Sequence, residues 1–329
     1  MIRLTPHNGI PRQVLLMMAV MAGFTVANLY YNQPLLDLIC HETGITQVEA
    51  NLITVVTQIG YALGLLFVVP LADMVSVRRI VVVGMSVASV SAVTIGLAGN
   101  VWVLWGASLT LGVSSIMPQV TLTFKGTYRQ LMHTVGSIFM SHPRIRLYSL
   151  RPAMSFASMM SIWSCMAFQL AGPPFHAGSD AVGMLALCGV AGAIAASGAG
   201  KYVPRLGIFR MSIIGGCLQL MAWVSAWLFG DTYTGLIAAI ILADIGAQCL
   251  QVSNQSGSLQ QLPQATNRVN TIFMTTFFIG GSLGTFCFGL GWSMAGWLGV
   301  CIVGGFFASA TLLLSAYEQL FMKQQNEKE

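Results

Sequence analysis

The stretch VLLMMAVMAGFTVANLYYNQPLLDL, residues 14–38, decides the fold because it has the length of a membrane-spanning helix. A helix needs about 20 mostly apolar residues to cross the hydrocarbon core of a bilayer, which is roughly 30 Å thick. The stretch is too long for the apolar part of a signal peptide and has no small-residue cleavage site, so we expect it to stay in the protein. Asn28, Asn32 and Gln33 interrupt its apolar character, and their presence in lipid needs a reason.

Nine further stretches of similar character follow along the chain. Of the 329 residues, 55% are hydrophobic and 8% are charged, which leaves too few charges to cover a water-soluble domain. The predicted spans are residues 14–38, 50–72, 80–98, 101–120, 152–171, 181–199, 211–229, 233–254, 270–291 and 295–316. The sequence therefore predicts an all-α, polytopic membrane protein with about ten transmembrane helices.

The basic residues give these spans an orientation. Connections between spans alternate between the two sides of a membrane, and Lys and Arg concentrate on the cytoplasmic side. All 15 Lys and Arg residues fall on one predicted side, and the opposite loops contain none. We therefore expect both termini in the cytoplasm. The net charge of +5 follows from this topology and does not indicate nucleic acid as a partner.

The longest connection, Thr121 to Leu150, contains the segment YRQLMHTVGSIFM at residues 128–140. Its apolar residues share one helical face: Leu131, Met132, Val135, Ile138 and Phe139. A helix with one apolar face next to a bilayer is typical of an interfacial helix. A linker and a regulatory site are the two interpretations, and we favour the linker.

Polar residues in three predicted spans recur at helical spacing, so that each span has one polar face. The first span has Thr25, Asn28 and Asn32, with Tyr31 beside them; the second has Thr54, Thr57, Gln58 and Tyr61; the eighth has Asp244, Gln248, Gln251 and Gln255. Such groups usually face a bundle interior or an aqueous cavity. They either tie helices together through hydrogen bonds of about 0.6 kcal/mol each or line one wet central cavity. Three or four polar residues per span favour the cavity.

Asp244 is the carboxylate predicted about halfway across its span. A charge there costs about 2.5 to 3.5 kcal/mol on insertion scales, and desolvation favours the neutral acid. This chemistry suits proton coupling or binding of a cationic substrate. A structural hydrogen bond from the neutral acid is the alternative. Asp37 is predicted at the outer end of the first span, where water can reach it.

No metal, cofactor or catalytic site is predicted. The seven cysteines are scattered, mostly inside spans, without the paired spacing of a metal or redox site, and we expect them to be small apolar filler. No Ser/His/Asp set, HExxH motif or carboxylate cluster lies in or beside a span, so an enzyme is not expected.

Four segments resemble the major facilitator superfamily, and within it the bacterial drug-efflux-like members. They are ANLYYNQPLL (27–36), QIGYALGLLFVVPLAD (58–73), LQVSNQ (250–255) and ATNRVNTIFMTTFFIGGSLGT (265–285). The resemblance covers nearly the whole chain. It implies two six-helix halves around a central cavity and transport by alternating access. It also implies a monomer in a bacterial inner membrane, with a small-molecule substrate and protons as its partners.

The loop after the second span resembles the family signature G-x-x-x-D-R/K-x-G-x-R-R/K. Asp73, Arg78 and Arg79 match this signature, and three other positions depart from it. A second copy at residues 200–207 keeps Gly200 and Arg205 but has a proline where the acid would stand. In the family this loop latches the two halves on the cytoplasmic side. The resemblance therefore implies a cytoplasmic gate, with the weaker contribution from the second copy.

The number of spans departs from the family pattern, because the chain has four spans and then six. The segment that resembles the family's central linker follows the fourth span, and an internal deletion of the fifth and sixth spans near Phe124 and Lys125 explains this. The implied domains are an incomplete N-terminal half at 1–120, a linker with the interfacial helix at 121–150, and a C-terminal six-helix half at 151–329. Polar faces that evolved against protein would then meet lipid, so we expect reduced stability or loss of transport.

Three functions follow from these features. The leading hypothesis is a secondary active transporter that exports small organic molecules in exchange for protons, with Asp244 or Asp37 carrying the proton. The alternative is a non-transporting remnant, or a membrane protein that needs a second chain to complete its fold. A membrane-embedded enzyme is the third.

Overall fold

The computed structural model describes residues 29–69, 71, 75–116 and 128–322. Within these ranges the chain forms ten α-helices and no strand. The helices are α1 (Leu36–Thr43), α2 (Gln47–Leu63), α3 (Val77–Leu97), α4 (Val101–Ser114), α5 (Tyr128–Ser141), α6 (Pro143–Ala171), α7 (Ser179–Ala186), α8 (Gly189–Phe229), α9 (Tyr233–Gln261) and α10 (Thr266–Tyr317). Short 3-10 or π turns lie at Gln33–Leu35, Gly64–Val68, Pro263–Ala265 and Glu318–Met322.

Helices α8 and α10 each continue through a break in helical geometry: α8 contains the end of the sixth predicted span and the whole seventh, and α10 contains the ninth and tenth. The break in α8 is Gly207, with φ of 78°, and the break in α10 lies at Ala295 and Gly296, where φ of Gly296 is 55°. Glycine adopts such positive φ values at no steric cost. Among the described residues, six helical segments are long and apolar enough to cross a membrane, and α4 is a shorter apolar helix. The all-α membrane bundle predicted from the sequence is confirmed.

Two predicted boundaries differ from the structure. The fifth span was expected to begin at Pro152, whereas α6 begins at Pro143 and continues through Pro152. Proline is favoured in the first helical turn, where its missing N–H leaves no helical bond unmade. The sixth predicted span, 181–199, is interrupted between α7 and α8, at Leu187 and Cys188. The glycine-rich sequence around this point has low helix propensity.

Helix α6 lies at the centre of the C-terminal part of the bundle. In its apolar window 83% of the residues are buried, compared with 11% for α3. A Cβ atom added at Gly284, in the first part of α10, would overlap the backbone of Ala157 in α6. The hydroxyl of Ser158 donates a hydrogen bond to the carbonyl oxygen of Gly304, in the second part of α10, at 3.0 Å. Both parts of α10 therefore pack directly on α6.

The predicted interfacial helix corresponds to α5. Its buried residues Val135 and Ile138 pack in one cluster with Val269 and Ile272 of α10. Leu66, in the turn after α2, lies against the same cluster. Helix α5 therefore contacts elements that come both before and after it in the chain.

Helices α2 and α4 approach each other at glycines. A Cβ atom added at Gly112 in α4 would overlap the carbonyl oxygen of Thr57 in α2. One added at Gly60 in α2 would overlap the carbonyl oxygen of Leu109 in α4. Small residues at such positions allow the backbones of membrane helices to come into contact.

Gly112→Ala is expected to destabilise the protein by about 1–3 kcal/mol, because the two backbones must separate to admit the methyl group. Thermal unfolding of the purified protein in detergent measures this as a lower Tm. Gly106→Ala in the same helix is the matched control, since nothing lies within 4 Å of its added Cβ atom. It is expected to leave the Tm unchanged or to raise it. Equal decreases in the two variants would contradict the close packing of α2 on α4.

Candidate functional site

A cavity of about 580 Å³ lies in the interior of the bundle. Small-molecule sites usually have volumes of roughly 300–1,000 Å³. The wall residues are Tyr30, Gln33, Pro34 and Tyr61 from the N-terminal part, Phe156, Met159, Met160 and Trp163 of α6, Val182 and Ala186 of α7, Gly189 and Gly192 of α8, Asp244, Gln248 and Gln251 of α9, and Met274, Phe277 and Phe278 of α10. The cavity can therefore hold a small molecule between segments from both ends of the chain.

Most of the cavity wall is aromatic or thioether surface. The rings of Phe156 and Phe277 stack with centroids 4.0 Å apart, and those of Tyr61 and Phe278 lie 4.3 Å apart. Aromatic faces attract both apolar groups and cations. Methionine adapts to irregular shapes. Such a wall suits an amphipathic organic molecule.

Asp244 is the one charged residue among the described wall residues. Its side chain is 6% exposed, and its Oδ1 accepts a hydrogen bond of 2.9 Å from Nε1 of Trp163 in α6. The backbone of α8 faces this carboxylate at Gly189 and Gly192. Since the described wall holds no Lys, Arg or His, the neighbouring donor that stabilises the carboxylate is a neutral indole.

Two amides near the cavity use a sulfur atom as their acceptor. Nε2 of Gln58 donates to Sδ of Met160 at 3.3 Å, and Nε2 of Gln33 approaches the same sulfur at 3.9 Å. Sulfur is a weak acceptor. Oε1 of Gln58 and Oδ1 of Asn32 are buried without a hydrogen-bond partner among the described residues. These oxygens can accept hydrogen bonds from water or from a bound molecule.

Five predicted pathway residues lie at or next to the cavity. Tyr61, Asp244, Gln248 and Gln251 belong to its wall. Gln58 is fully buried directly behind Met160, to which it is hydrogen bonded. The structure thus brings the predicted polar faces of the second and eighth spans to one place.

The predicted face of the first span is placed differently. Tyr31 is 54% exposed, and its neighbour Tyr30 is in the cavity wall instead. Helical spacing does not hold here, because the chain forms a turn that ends in the 3-10 turn after Asn32. Asn32 is half-buried. Thr25 and Asn28 lie outside the described residues.

The described residues of the predicted cytoplasmic gate form no ion pair with one another. Arg78 and Arg79 are exposed in the first turn of α3, and Gly200 and Arg205 are exposed in α8. In the described ranges Arg151 forms an ion pair with Glu318, and Asp37 lies beside His41; neither contact includes a gate residue. Asp73 lies outside the described residues.

Sequence reasoning missed a buried polar network around Arg151. Arg151 was expected in a cytoplasmic connection, whereas it is fully buried in α6 and forms an ion pair with Glu318, just after α10. Its Nη1 also donates to Oγ of Ser212 at 2.8 Å and to Oδ1 of Asn254 at 3.2 Å. Tyr148 donates its hydroxyl proton to Oε1 of Glu318 at 3.1 Å. The network joins α6, α8, α9 and the end of α10.

Sequence reasoning also missed the contribution of α6 to the cavity. Phe156, Met159, Met160 and Trp163 lie at i, i+3, i+4 and i+7 and all belong to the wall. An apolar stripe at this spacing also describes an ordinary packed face. The indole N–H of Trp163 was the available signal, because a buried Trp usually finds a hydrogen-bond partner.

The bundle has the fold of a known transporter. It is similar to the crystal structure of a mutant of the nucleoside transporter NupG, with a TM-score of 0.74 and 11% sequence identity. The match covers 94% of this chain and 99% of that chain, and at this identity it concerns the fold alone. The protein is a multi-pass membrane protein with a major-facilitator-like transporter fold.

The relatives in sequence are also named as transporters. The uncharacterized transporter YgaY of Escherichia coli O157:H7 is 28% identical over 379 residues, which cover 94% of this chain and 96% of the relative. The putative uncharacterized transporter YgaY of Escherichia coli strain K12 matches to the same extent. The probable transporter SCO4007 of Streptomyces coelicolor is 25% identical over 371 residues, covering 91% of this chain and 86% of the relative. No family model matches the chain. These relatives agree with a transporter and with the expectation that the chain is not an enzyme.

Proposed function

We propose that this protein is a secondary active transporter that exports small amphipathic organic molecules across a bacterial inner membrane in exchange for protons. The observation that carries the proposal is the position of Asp244, a single carboxylate in the otherwise uncharged described wall of a central cavity. An ionisable residue inside a membrane is costly and commonly marks a proton or substrate pathway.

The chemistry of the cavity supports exchange at one site. Asp244 can hold a proton or, when ionised, attract a cationic group, and the two occupants compete for the same carboxylate. Trp163 stabilises the ionised form by donating its N–H to Oδ1. The aromatic wall supplies apolar contact for the rest of the substrate. Alternating exposure of this site to the two sides of the membrane would then couple export of the substrate to entry of protons.

The remaining parts of the proposal concern topology and gating. The one-sided distribution of the basic residues other than Arg151, which is buried in α6, supports cytoplasmic termini. We assign residues 1–120 to the N-terminal half, 121–150 to the linker and 151–329 to the C-terminal half of a monomer. A cytoplasmic latch formed by Asp73, Arg78 and Arg79 belongs to the same proposal.

Asp244→Asn is expected to reduce pH-gradient-driven transport to the level of protein-free liposomes, because the amide keeps the size of the carboxyl group but cannot carry a proton. The measurement uses purified protein in liposomes, an imposed pH gradient and a panel of fluorescent amphipathic dyes. Asp231→Asn, in an exposed turn between α8 and α9, is the matched control and should transport as the wild type does.

Asp37→Asn tests the competing proton site. Asp37 lies in α1 and pairs with His41, 3.7 Å away, outside the cavity wall. We expect this variant to retain gradient-driven transport. Loss of transport in Asp37→Asn together with normal transport in Asp244→Asn would refute the assignment of Asp244 as the coupling acid.

A non-transporting remnant, or a protein that depends on a partner chain, is the second candidate. The match to the relative from Escherichia coli extends over 379 residues, whereas this chain has 329. The relative therefore has at least 50 residues (379 less 329) without a counterpart here. Two spans need about 40 residues, so this difference supports the loss of the fifth and sixth spans. Absence of transport by the chain alone would favour this candidate.

A further inference from the structure

The two oxygens of the Asp244 carboxylate have different surroundings. Oδ1 accepts the hydrogen bond from Trp163. Oδ2 has no hydrogen-bond partner among the described residues, and it faces the backbone of α8 at Gly189 and Gly192. Trp163 of α6 thus occupies Oδ1, and the other oxygen, Oδ2, is directed toward α8.

The two glycines of α8 stand at different distances from the carboxylate. A Cβ atom added at Gly192 would lie 3.1 Å from Cβ and 3.6 Å from Oδ2 of Asp244, so this glycine lets α8 pack closely on α9. A Cβ atom added at Gly189 would lie 3.8 Å from Oδ2 of Asp244 and 3.8 Å from Cζ2 of Trp163. A methyl group therefore fits at Gly189 without a clash, but it would occupy the space beside Oδ2.

The space beside Oδ2 lies at the interruption between α7 and α8. Helix α7 ends at Ala186, and α8 begins at Gly189, which belongs to the cavity wall together with Ala186. Of these two wall residues, Gly189 has no side chain and Ala186 has only a methyl group. Gly189 and Trp163 both line the cavity, and a Cβ atom added at Gly189 would be in van der Waals contact with the Trp163 ring.

We propose that Oδ2 of Asp244 and the open space at Gly189 form a subsite for a protonated amine that carries at least one N–H. This subsite rests on the proposed function, and it specifies the chemical group of the substrate that Asp244 would bind. The described wall holds one carboxylate and no basic residue, so a cation is the charged partner it favours. An N–H group can approach Oδ2 to hydrogen-bond distance, whereas the methyl groups of a quaternary ammonium hold its charge farther away. The aromatic wall takes the apolar part of the same molecule.

The test uses modification of Asp244 by dicyclohexylcarbodiimide in purified protein in detergent, without any gradient. The carboxylic acid adds across one C=N bond of the reagent, and the adduct rearranges to a stable N-acylurea with no leaving group. Mass spectrometry of the peptide that contains Asp244 gives the rate of modification. The probe is 2-phenylethylammonium, with neutral 2-phenylethanol and the N,N,N-trimethyl analogue at equal concentration for comparison.

We expect 2-phenylethylammonium to slow the modification about tenfold more than either comparison compound, as a charge-assisted hydrogen bond would. In Gly189→Ala this protection should be lost. In Gly183→Ala it should be retained, because Gly183 lies in α7 with nothing within 4 Å of its added Cβ atom. Each variant is compared with its own unprotected rate, so that a change in intrinsic reactivity cancels.

Three results would overturn the subsite. They are equal protection by 2-phenylethanol, equal protection by the trimethyl analogue, and full protection in Gly189→Ala. Failure of the proposed function is recognised separately, since the labelling needs no transport. If the amine protects Asp244 and Asp244→Asn still transports normally, proton coupling is refuted and the subsite stands. If Asp244→Asn loses transport and the amine gives no protection, only the subsite is refuted.

Discussion

Arg151→Met is expected to lower the free energy of unfolding by about 3–5 kcal/mol, the usual effect of removing one partner of a buried ion pair. Arg151 has no exposed surface, and the substitution leaves the carboxylate of Glu318 mostly buried without its cation. Methionine fills much of the space of the arginine stem, so the loss reports on charge and hydrogen bonds more than on a cavity. The measurement is the Tm of the purified protein in detergent.

The size of this effect follows from the number of groups that depend on Arg151. Ser212 in α8 and Asn254 in α9 both accept hydrogen bonds from its Nη1 atom. Each buried polar group that loses its partner adds a cost of about 1–3 kcal/mol unless it finds another. Ser212 and Asn254 remain bonded to each other at 2.9 Å, which limits that cost. The uncompensated Glu318 carboxylate therefore makes the largest contribution.

Two further variants distinguish the ion pair from general effects of substitution. Arg205→Met removes an exposed arginine from α8, and its effect should stay within about 0.5 kcal/mol. The double variant Arg151→Met, Glu318→Leu removes both charges and should recover much of the lost stability, because an apolar pair often replaces a buried ion pair without loss. An unchanged Tm in Arg151→Met would contradict a stabilising role for the pair.

The same arginine shows where prediction from sequence reaches its limit. The positive-inside pattern treats every Lys and Arg as a loop residue, so Arg151 was placed beside a span. Its partner Glu318 lies 167 positions away, and one sequence offers no signal that pairs them. The architecture was predictable because apolar length and the alternation of basic connections are local properties of the chain.

The sequence indicated the polar residues of the cavity wall but not the apolar ones. Asp244, Gln248 and Gln251 were recognised because polar groups at helical spacing are costly in lipid. Trp163 was not, since an apolar stripe that lines a cavity has the same pattern as one that packs in a core. Tyr31 was chosen over Tyr30 because helical spacing was assumed where the chain forms a turn. In a regular helix the spacing of residues predicts which face their side chains share. In an irregular segment it does not.

Inserting two apolar spans between α4 and α5, so as to complete the six-span N-terminal half that the resemblance implies, is expected to raise gradient-driven transport about tenfold or more. In the C-terminal part of the bundle, α6 is held by both parts of α10 through Gly284 and Gly304. These two parts are the fifth and sixth spans of that half. By the two-half arrangement that the resemblance implies, the first span of the N-terminal half needs the same two partners. Raising the free energy of the transport-competent conformation by only about 1.4 kcal/mol lowers its population tenfold.

The insertion replaces the segment between Ser114 and Tyr128, and its rates are measured in the same liposome assay as those of the parent chain. An insertion of equal length made of Gly and Ser is the control, because it lengthens the connection without adding packing surface. It should leave transport unchanged or lower it. The Tm of the version with two added spans should also rise, since burial of the first span against protein stabilises the bundle. Equal transport rates for the parent chain and the version with two added spans would show that the four N-terminal spans suffice for transport past Asp244. This result would refute the inference that the N-terminal half needs a fifth and a sixth span.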